Sequence, residues 1–463
     1  MLIHPDRLFP TDPGTRSIAR RLHEQVRRLP IVSPHGHTQA AWFATNEPFP
    51  DPAKLLVQPD HYIFRMLYSQ GIPLEDLEIG RPQLTDPRKV WRIFASNYYL
   101  FRGTPTRMWL DFVFQEIFGI EQRLSEKTAD LYFDTILKKL KTPEFLPRAF
   151  YERFNVEVLA TTDSPLDSLA DHERIRESNW KARILPTFRP DPVVDPDFDG
   201  FVENVAKLGQ QTAEDTSMWS GYLNALRTAR LRFRELGCTA TDHGHPTAQT
   251  ANLSEAEATE LFRSVIANRA DAKQRELFRA KMLTEMARMS LEDGLVMQIH
   301  PGSFRNHNSK LYERYGRDVG ADIPTTTNYV DALRPLLDRF GNERNLTIIL
   351  FTLDESTYSR ELAPLAGHYP CLRLGPPWWF HDSPEGLMRF REHVTETAGF
   401  YNTAGFNDDT RSFVSIPGRH DMARRIDCNF LAKLVAEHRL EQDEALEVAH
   451  NLAYGLVKRA YRL

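Results

Sequence analysis

The sequence predicts a (β/α)8 barrel interrupted by an all-helical insertion after its first strand. Three observations carry that prediction. From residue 151 onward, short apolar runs alternate with turn residues and long amphipathic stretches, and the run at 30–35 brings the total to eight. Strands that alternate with helices make a parallel sheet, and eight such units close naturally into a barrel. Residues 38–150 are instead rich in aromatics at helical spacing and show no period-two alternation. No G-x-G-x-x-G follows any run, which removes the main signature of an open dinucleotide-binding sheet.

Residues 1–37 comprise a polar lead-in, a short helix over 16–28 and the first strand. In the 38–150 insertion, Trp91, Phe94, Tyr98, Tyr99 and Phe101, then Trp109, Phe112, Phe114 and Phe118, form stripes that predict packed core rather than a binding surface. Residues 151–463 carry the rest of the barrel and the C-terminal helices, with runs at 156–162, 182–188, 238–243, 295–300, 346–353, 371–379 and 399–406. Between them, Ser254 and Glu257 spell a capping box. Gly294 stands where a helix would end in left-handed backbone.

Composition is that of an ordinary globular chain, 41% hydrophobic and 26% charged. A net charge of −5 with no basic block gives no nucleic-acid footprint. The apolar runs fall far short of the roughly 20 residues a membrane-spanning helix needs, and the first residues lack the apolar centre of a signal peptide. The three cysteines, Cys238, Cys371 and Cys428, are scattered with no C-x-x-C pair. They argue for free thiols in a reducing cytoplasm. A homo-oligomer is expected, with no subunit count implied.

Chemistry on such a barrel sits on the loops after the C-terminal strand ends. The first run ends in His35-Gly36-His37, and residues i and i+2 of a strand face one side, so both imidazoles aim at one point. Later runs lead into Asp163, Arg189, Asp242 with His243 and His245, His300 with Arg305 and Asn306, Asp354, and Trp378-Trp379 with Asp382. The eighth leads into Asn407-Asp408-Asp409-Thr410-Arg411. A divalent cation needs imidazole and carboxylate donors from several elements and an open position for substrate. His35, His37 and a carboxylate of the eighth segment supply them. Asp409 is preferred to Asp408 because Arg411, two residues on, places a guanidinium on the same side, suiting an anion bound beside the metal. Plainer readings serve elsewhere: His243 and His245 as satisfied loop histidines, Asp354 and Asp408 as helix N-caps. Trp378-Trp379 reads as barrel packing or a sugar platform, and His4, His23, His172 and His368 as surface.

These residues fall in motifs that resemble the uronate (glucuronate) isomerases of the amidohydrolase superfamily. The motifs are His35-Gly36-His37, Asp60-His61-Tyr62 followed by Arg65, Ala160-Thr161-Thr162-Asp163-Ser164-Pro165, and Asp242-His243-Gly244. They continue with His300-Pro301-Gly302 and Arg305-Asn306-His307-Asn308, then Trp378-Trp379-Phe380 with Asp382, and finally Asp409-Thr410-Arg411-Ser412-Phe413. Seven separated motifs in order span nearly the whole chain. The resemblance implies that His35, His37 and Asp409 hold one divalent ion, usually zinc. It implies that His61 and Tyr62 reach over the barrel mouth, and that Arg189 and Arg411 bind the uronate carboxylate or stabilise developing negative charge. His300, Arg305, Trp378 and Trp379 would line the pocket. No lysine or further histidine stands where related hydrolases bridge two metals, so a mononuclear site is expected.

The reaction so implied converts D-glucuronate to D-fructuronate, or D-galacturonate to D-tagaturonate, in hexuronate catabolism. It moves a proton from C2 to C1 through an enediol and needs a base, worth about 10²–10⁴-fold, and positive charge for the enediolate. Asp409 and Tyr62 both stand as candidates for the C2 proton shuttle, with Arg411 stabilising the enediolate. The alternatives are a mononuclear metal-dependent hydrolase on the same barrel and a non-catalytic sugar-acid binder.

Overall fold

The structure, a computed structural model, describes residues 1–80 and 86–463, so residues 81–85 of the expected insertion lie outside the described residues. The apolar runs form seven parallel strands: β1 (Ile31–Ser33), β2 (Val156–Ala160), β3 (Arg183–Leu185), β4 (Ala240–His243), β5 (Val296–Ile299), β8 (Ile348–Leu350) and β9 (Leu372–Leu374). They group as β1-β2-β3 and β4-β5-β8-β9. Bridges from Phe188 to both Asp163 and Thr241 join the two groups. A short antiparallel pair, β6 (Ser303–Phe304) and β7 (Ile323–Pro324), follows β5. Two-residue strands carry no period, and the sequence did not betray them.

The eighth run is not a regular strand. Leu374 N donates to Asn402 O at 2.9 Å and Ala404 N to Leu374 O at 2.8 Å, pairing the run with β9. Gly405 then turns into left-handed backbone (φ 78°), pressed so closely on Val457 that a Cβ would lie 2.4 Å from Cγ2. Only glycine tolerates both conditions, and the ladder stops there. The ring closes further on, where His37 N donates to Thr410 O at 2.8 Å.

Alternation along the strands separates two surfaces. Val32, Val158, Ala240, Val296 and Ile349 pack together in the barrel interior with Tyr461 of the last helix, Leu456–Tyr461. The Tyr461 hydroxyl donates to Gln298 Oε1 at 2.9 Å. Met297, Ile299, Ile348, Leu350, Leu372 and Leu374 face the surrounding helices. Ser254 and Glu257 form the expected capping box, and Gly294 (φ 82°) ends the helix Ala272–Asp293 as expected. The first helix starts earlier than expected, Pro13–Val26, because Asp12 caps it through Thr15 N.

Described residues 38–150 contain helices and no strand. Asp60, Asp86 and Thr104 cap the helices His61–Ser69, Pro87–Ser96 and Pro105–Phe112. Trp91, Phe94, Tyr98, Phe101, Phe114 and Phe118 are buried in one core. Tyr99 is 52% exposed and Phe112 half-buried, since neighbouring residues in a helical turn face different ways. No helix of the described residues is long and apolar enough to cross a membrane.

Four plain readings need correction. His23 is buried against Phe9 and Asp421, and His172 is buried with Nε2 2.8 Å from Thr161 Oγ1, whereas His4 and His368 are exposed. Asp408 caps no helix: His420 Nε2 donates to its Oδ2 at 2.9 Å. Asp354 caps a turn, accepting from Ser356 N and Oγ and from Thr327 N. His243 meets Thr241 Oγ1 at 2.9 Å, but neither nitrogen of buried His245 has a hydrogen-bond partner among the described residues.

Candidate active site

A cavity of about 670 Å3 opens at the C-terminal ends of the barrel strands, lined by residues from seven of the eight strand-end segments and from the insertion. Its floor is the cluster that strand periodicity predicts. His35 and His37 aim Nε2 at Asp409 Oδ1, at 3.4 and 3.2 Å, and the three donor atoms lie within 4.8 Å of one another. Bonds of about 2.0–2.1 Å in a tetrahedral site put neighbouring donors about 3.3 Å apart, so these spacings fit one small divalent ion. Asp409 Oδ1 is buried with no hydrogen-bond partner among the described residues, an acceptor left free for a cation.

The electrostatics agree with that fit. Burial raises the Asp409 carboxyl, but the two imidazoles outweigh it and hold the group well below the usual carboxylate range. Burial, reinforced by Arg411, takes His37 down to about 4, leaving a neutral imidazole with a free lone pair at neutral pH. Burial works against a charge on His35 too, yet Asp242 and Asp409 win and raise it. Two carboxylates drawing positive charge onto one imidazole mark the place as a cation site.

Beside the floor, Asp242 at the end of β4 holds two neighbours. His300 Nε2 is 2.6 Å from Oδ1, and Arg189 Nη1 is 3.4 Å from Oδ2. Burial opposes the Asp242 charge, but His300, His35 and Arg189 keep it well below the ordinary range. Arg189 also donates from Nε to Asp191 Oδ2 at 2.9 Å. Gly244 fits between them only because it lacks a Cβ, which would stand 2.6 Å from Arg189 Nη2 and 3.0 Å from His300 Cε1.

The upper wall holds His61, Trp378, Trp379, Arg305 and Arg411. Burial and Arg411 keep His61 well below its usual value, so it is neutral, and its ring lies 5.5 Å from that of Trp379. Trp378 packs edge-on to His300 at 4.8 Å, and Arg305 lies over Trp379 at 5.2 Å while donating to Asp322 at 2.7 Å. Among the described residues, Arg411 pairs with Asp318, at 3.7 Å, and its Nε has no hydrogen-bond partner.

Of the sequence-predicted residues, His35, His37 and Asp409 converge on the floor, and His61, Arg189, His300, Arg305, Trp378, Trp379 and Arg411 surround it. Tyr62 does not join them. It turns toward Trp109 and Arg419, its hydroxyl is buried, and burial pushes its phenol well above the usual range. Sequence reasoning left Asp242 without a role and missed Asp191 and Asp318. The i, i+2 spacing of Arg189 and Asp191 was the available signal for one. Asp318 sits on a loop with none.

A (β/α)8 barrel whose first strand and eighth segment present His-x-His and a carboxylate at the mouth defines an amidohydrolase-type enzyme. The chain belongs to the glucuronate isomerase family, whose sequence model matches residues 14–461. It is 63% identical over 461 residues to a uronate isomerase of Rhizorhabdus wittichii, covering 100% of this chain and 98% of that one. Among solved structures, a glucuronate isomerase from Caulobacter crescentus superposes with a TM-score of 0.98 at 58% identity, over 99% of this chain and 97% of that chain. A uronate isomerase from Thermotoga maritima gives a TM-score of 0.93 at 30% identity over 100% of both chains.

Proposed function

We propose that this protein interconverts an aldose uronate and its ketose, D-glucuronate with D-fructuronate and D-galacturonate with D-tagaturonate, as a step in hexuronate catabolism. The observation that carries the reading is the meeting, in one cavity, of a three-donor cation site with two guanidiniums, Arg189 and Arg411. Family membership supports it. One Zn2+ is proposed at His35, His37 and Asp409. When bound there, it supplies positive charge that attracts substrate oxygens and stabilises negative charge on them.

The protein's own residues then divide the work. Arg189, held by Asp191 and Asp242, binds and orients the substrate carboxylate. Asp409 takes the C2 proton; the C–H electron pair forms the C1–C2 double bond while the carbonyl oxygen accepts a proton. Return of the proton to C1 and loss of the C2 hydroxyl proton give the ketose. Arg411 lies over the developing enediolate, with His61, His300, Arg305 and the two tryptophans confining the sugar. Two features support Asp409 over Tyr62 as the base: it lines the cavity and is held ionised, whereas Tyr62 is off the cavity wall and held protonated. We place residues 38–150 as a helical domain lending His61 to the site. The three cysteines, all free and buried, support a reducing cytoplasm.

NMR of the Zn2+-supplemented protein with each uronate in D2O tests the reading. A ketose spectrum is expected, with deuterium entering C1 if the proton exchanges with solvent. An unchanged spectrum with both sugars would overturn the isomerase assignment.

A further inference from the structure

The helix Ile416–Ala436 leaves the eighth segment almost at once, and its first turns carry Arg419 and His420. Arg419 and Asp382 are each 1% exposed and joined by Nη1 donating to Oδ2 at 2.9 Å. The same nitrogen donates to the carbonyl oxygen of Asp408 at 3.2 Å. The guanidinium also lies 3.7 Å from the centre of the Trp109 ring and 5.4 Å from that of Tyr62. One buried cation therefore touches the loop after β9, the eighth segment and two helices of the insertion.

Three of these parts carry a residue of the site close by. Trp379 stands three residues before Asp382, Asp409 follows Asp408, and His61 precedes Tyr62. Two of the three have left-handed backbone, Trp379 at φ 51° and Asp409 at φ 44°. A side chain disfavours that conformation, which persists only where surrounding contacts over-determine it. At Asp409 those contacts are identifiable: Arg419 holds the carbonyl of the preceding residue, His420 holds that residue's carboxylate, and Asn407 Oδ1 accepts from Asp409 N at 3.0 Å. A simple buried ion pair would need only Asp382. The bond to Asp408 O and the two ring contacts tie the cation to the site.

We propose that Arg419 is a positioning residue for the isomerisation: by gripping Asp382 and the Asp408 carbonyl against the Trp109 and Tyr62 rings, it sets Trp379, Asp409 and His61 in register around the substrate. The inference rests on the isomerase reading above. Arg419→Met alone strands Asp382 in the interior and can fail to fold. The double variant Arg419→Met/Asp382→Asn removes both charges, and replacing both members of a buried pair is commonly neutral for stability. Arg419→Lys keeps the charge but not the planar fork.

The measurements are melting temperature, kcat and KM for D-glucuronate, and Zn2+ affinity by competition with a chromophoric chelator. For the double variant we expect a near-native melting temperature, a kcat at least about 100-fold lower with KM within about threefold, and Zn2+ binding about 10- to 100-fold weaker. Arg419→Lys should restore folding but not turnover. A folded double variant, or Arg419→Lys, with wild-type kcat and wild-type Zn2+ affinity would overturn the proposal. A wild type that binds Zn2+ yet leaves D-glucuronate unchanged would instead sink the isomerase reading, and the Zn2+ measurements would still decide whether Arg419 positions Asp409.

Discussion

The floor of the cavity and its rim use the same residue types to different ends. On the floor, Asp242, His300, His35 and Asp409 are almost inaccessible, spring from strand ends or the bond that closes the ring, and strongly shift one another's protonation. At the rim, Arg317 pairs with Asp199 and Arg411 reaches an Asp318 side chain that is 66% exposed. A pair of charges at an effective dielectric of about 20 interacts about four times as strongly as in water, while exposed pairs contribute about 0–1 kcal/mol. Position on the strands, not residue type, separates groups suited to chemistry from groups that tune access.

Four substitutions test how sharp that division is. The largest effect is expected from Asp409→Asn on the floor, which should lower kcat by about 10³-fold, within the range for loss of a general base. Steady-state kinetics giving a loss below tenfold would break the distinction at its centre. Arg411→Met comes next, because Arg411 lies between floor and rim. Turnover should fall about 10²-fold, at least as steeply as affinity, and a change confined to KM would move Arg411 to the rim.

Asp163 supplies a third test, through pH. Burial raises its carboxyl to about 7 against the bond from Thr161 Oγ1. Its folded value therefore lies above its unfolded one, and stability is lost as pH rises from about 4 to about 7, by up to about 4 kcal/mol. Asp163→Asn escapes that loss, so denaturant titrations should show the variant gaining on the wild type between pH 4 and pH 8. A constant difference would mean that water reaches Asp163 freely. The smallest effect belongs to Arg317→Gln, with kcat unchanged and KM within about threefold.

Much of this arrangement was legible because it follows from period. The i, i+2 spacing decided His35 and His37, although β1 itself stops at Ser33, and the strand-end rule found Arg189, His300 and Asp409. Tyr62 is the residue that period alone could not place: its ring stacks on that of His61 at 4.5 Å yet meets Trp109 edge-on, and His61 rather than Tyr62 lines the cavity. The Asp242–His300 contact depends on the register of β4 against β5, which pairs Asp242 with Gln298 and His243 with Ile299, and no single run specifies it. Asp318 comes from a loop between short strands that no pattern announces. The eighth run reads as a strand until Gly405, whose packing against Val457 involves a helix some fifty residues further on.

The bond from His37 N to Thr410 O joins segments almost a whole chain apart. During synthesis, at roughly 5–20 residues per second, His35 and His37 precede Asp409 by tens of seconds. Until residue 409 emerges, two imidazoles face no carboxylate. Capture of a cation by all three donors is thereby deferred until the eighth segment is made, and a polypeptide released before residue 409 carries no complete cage for it.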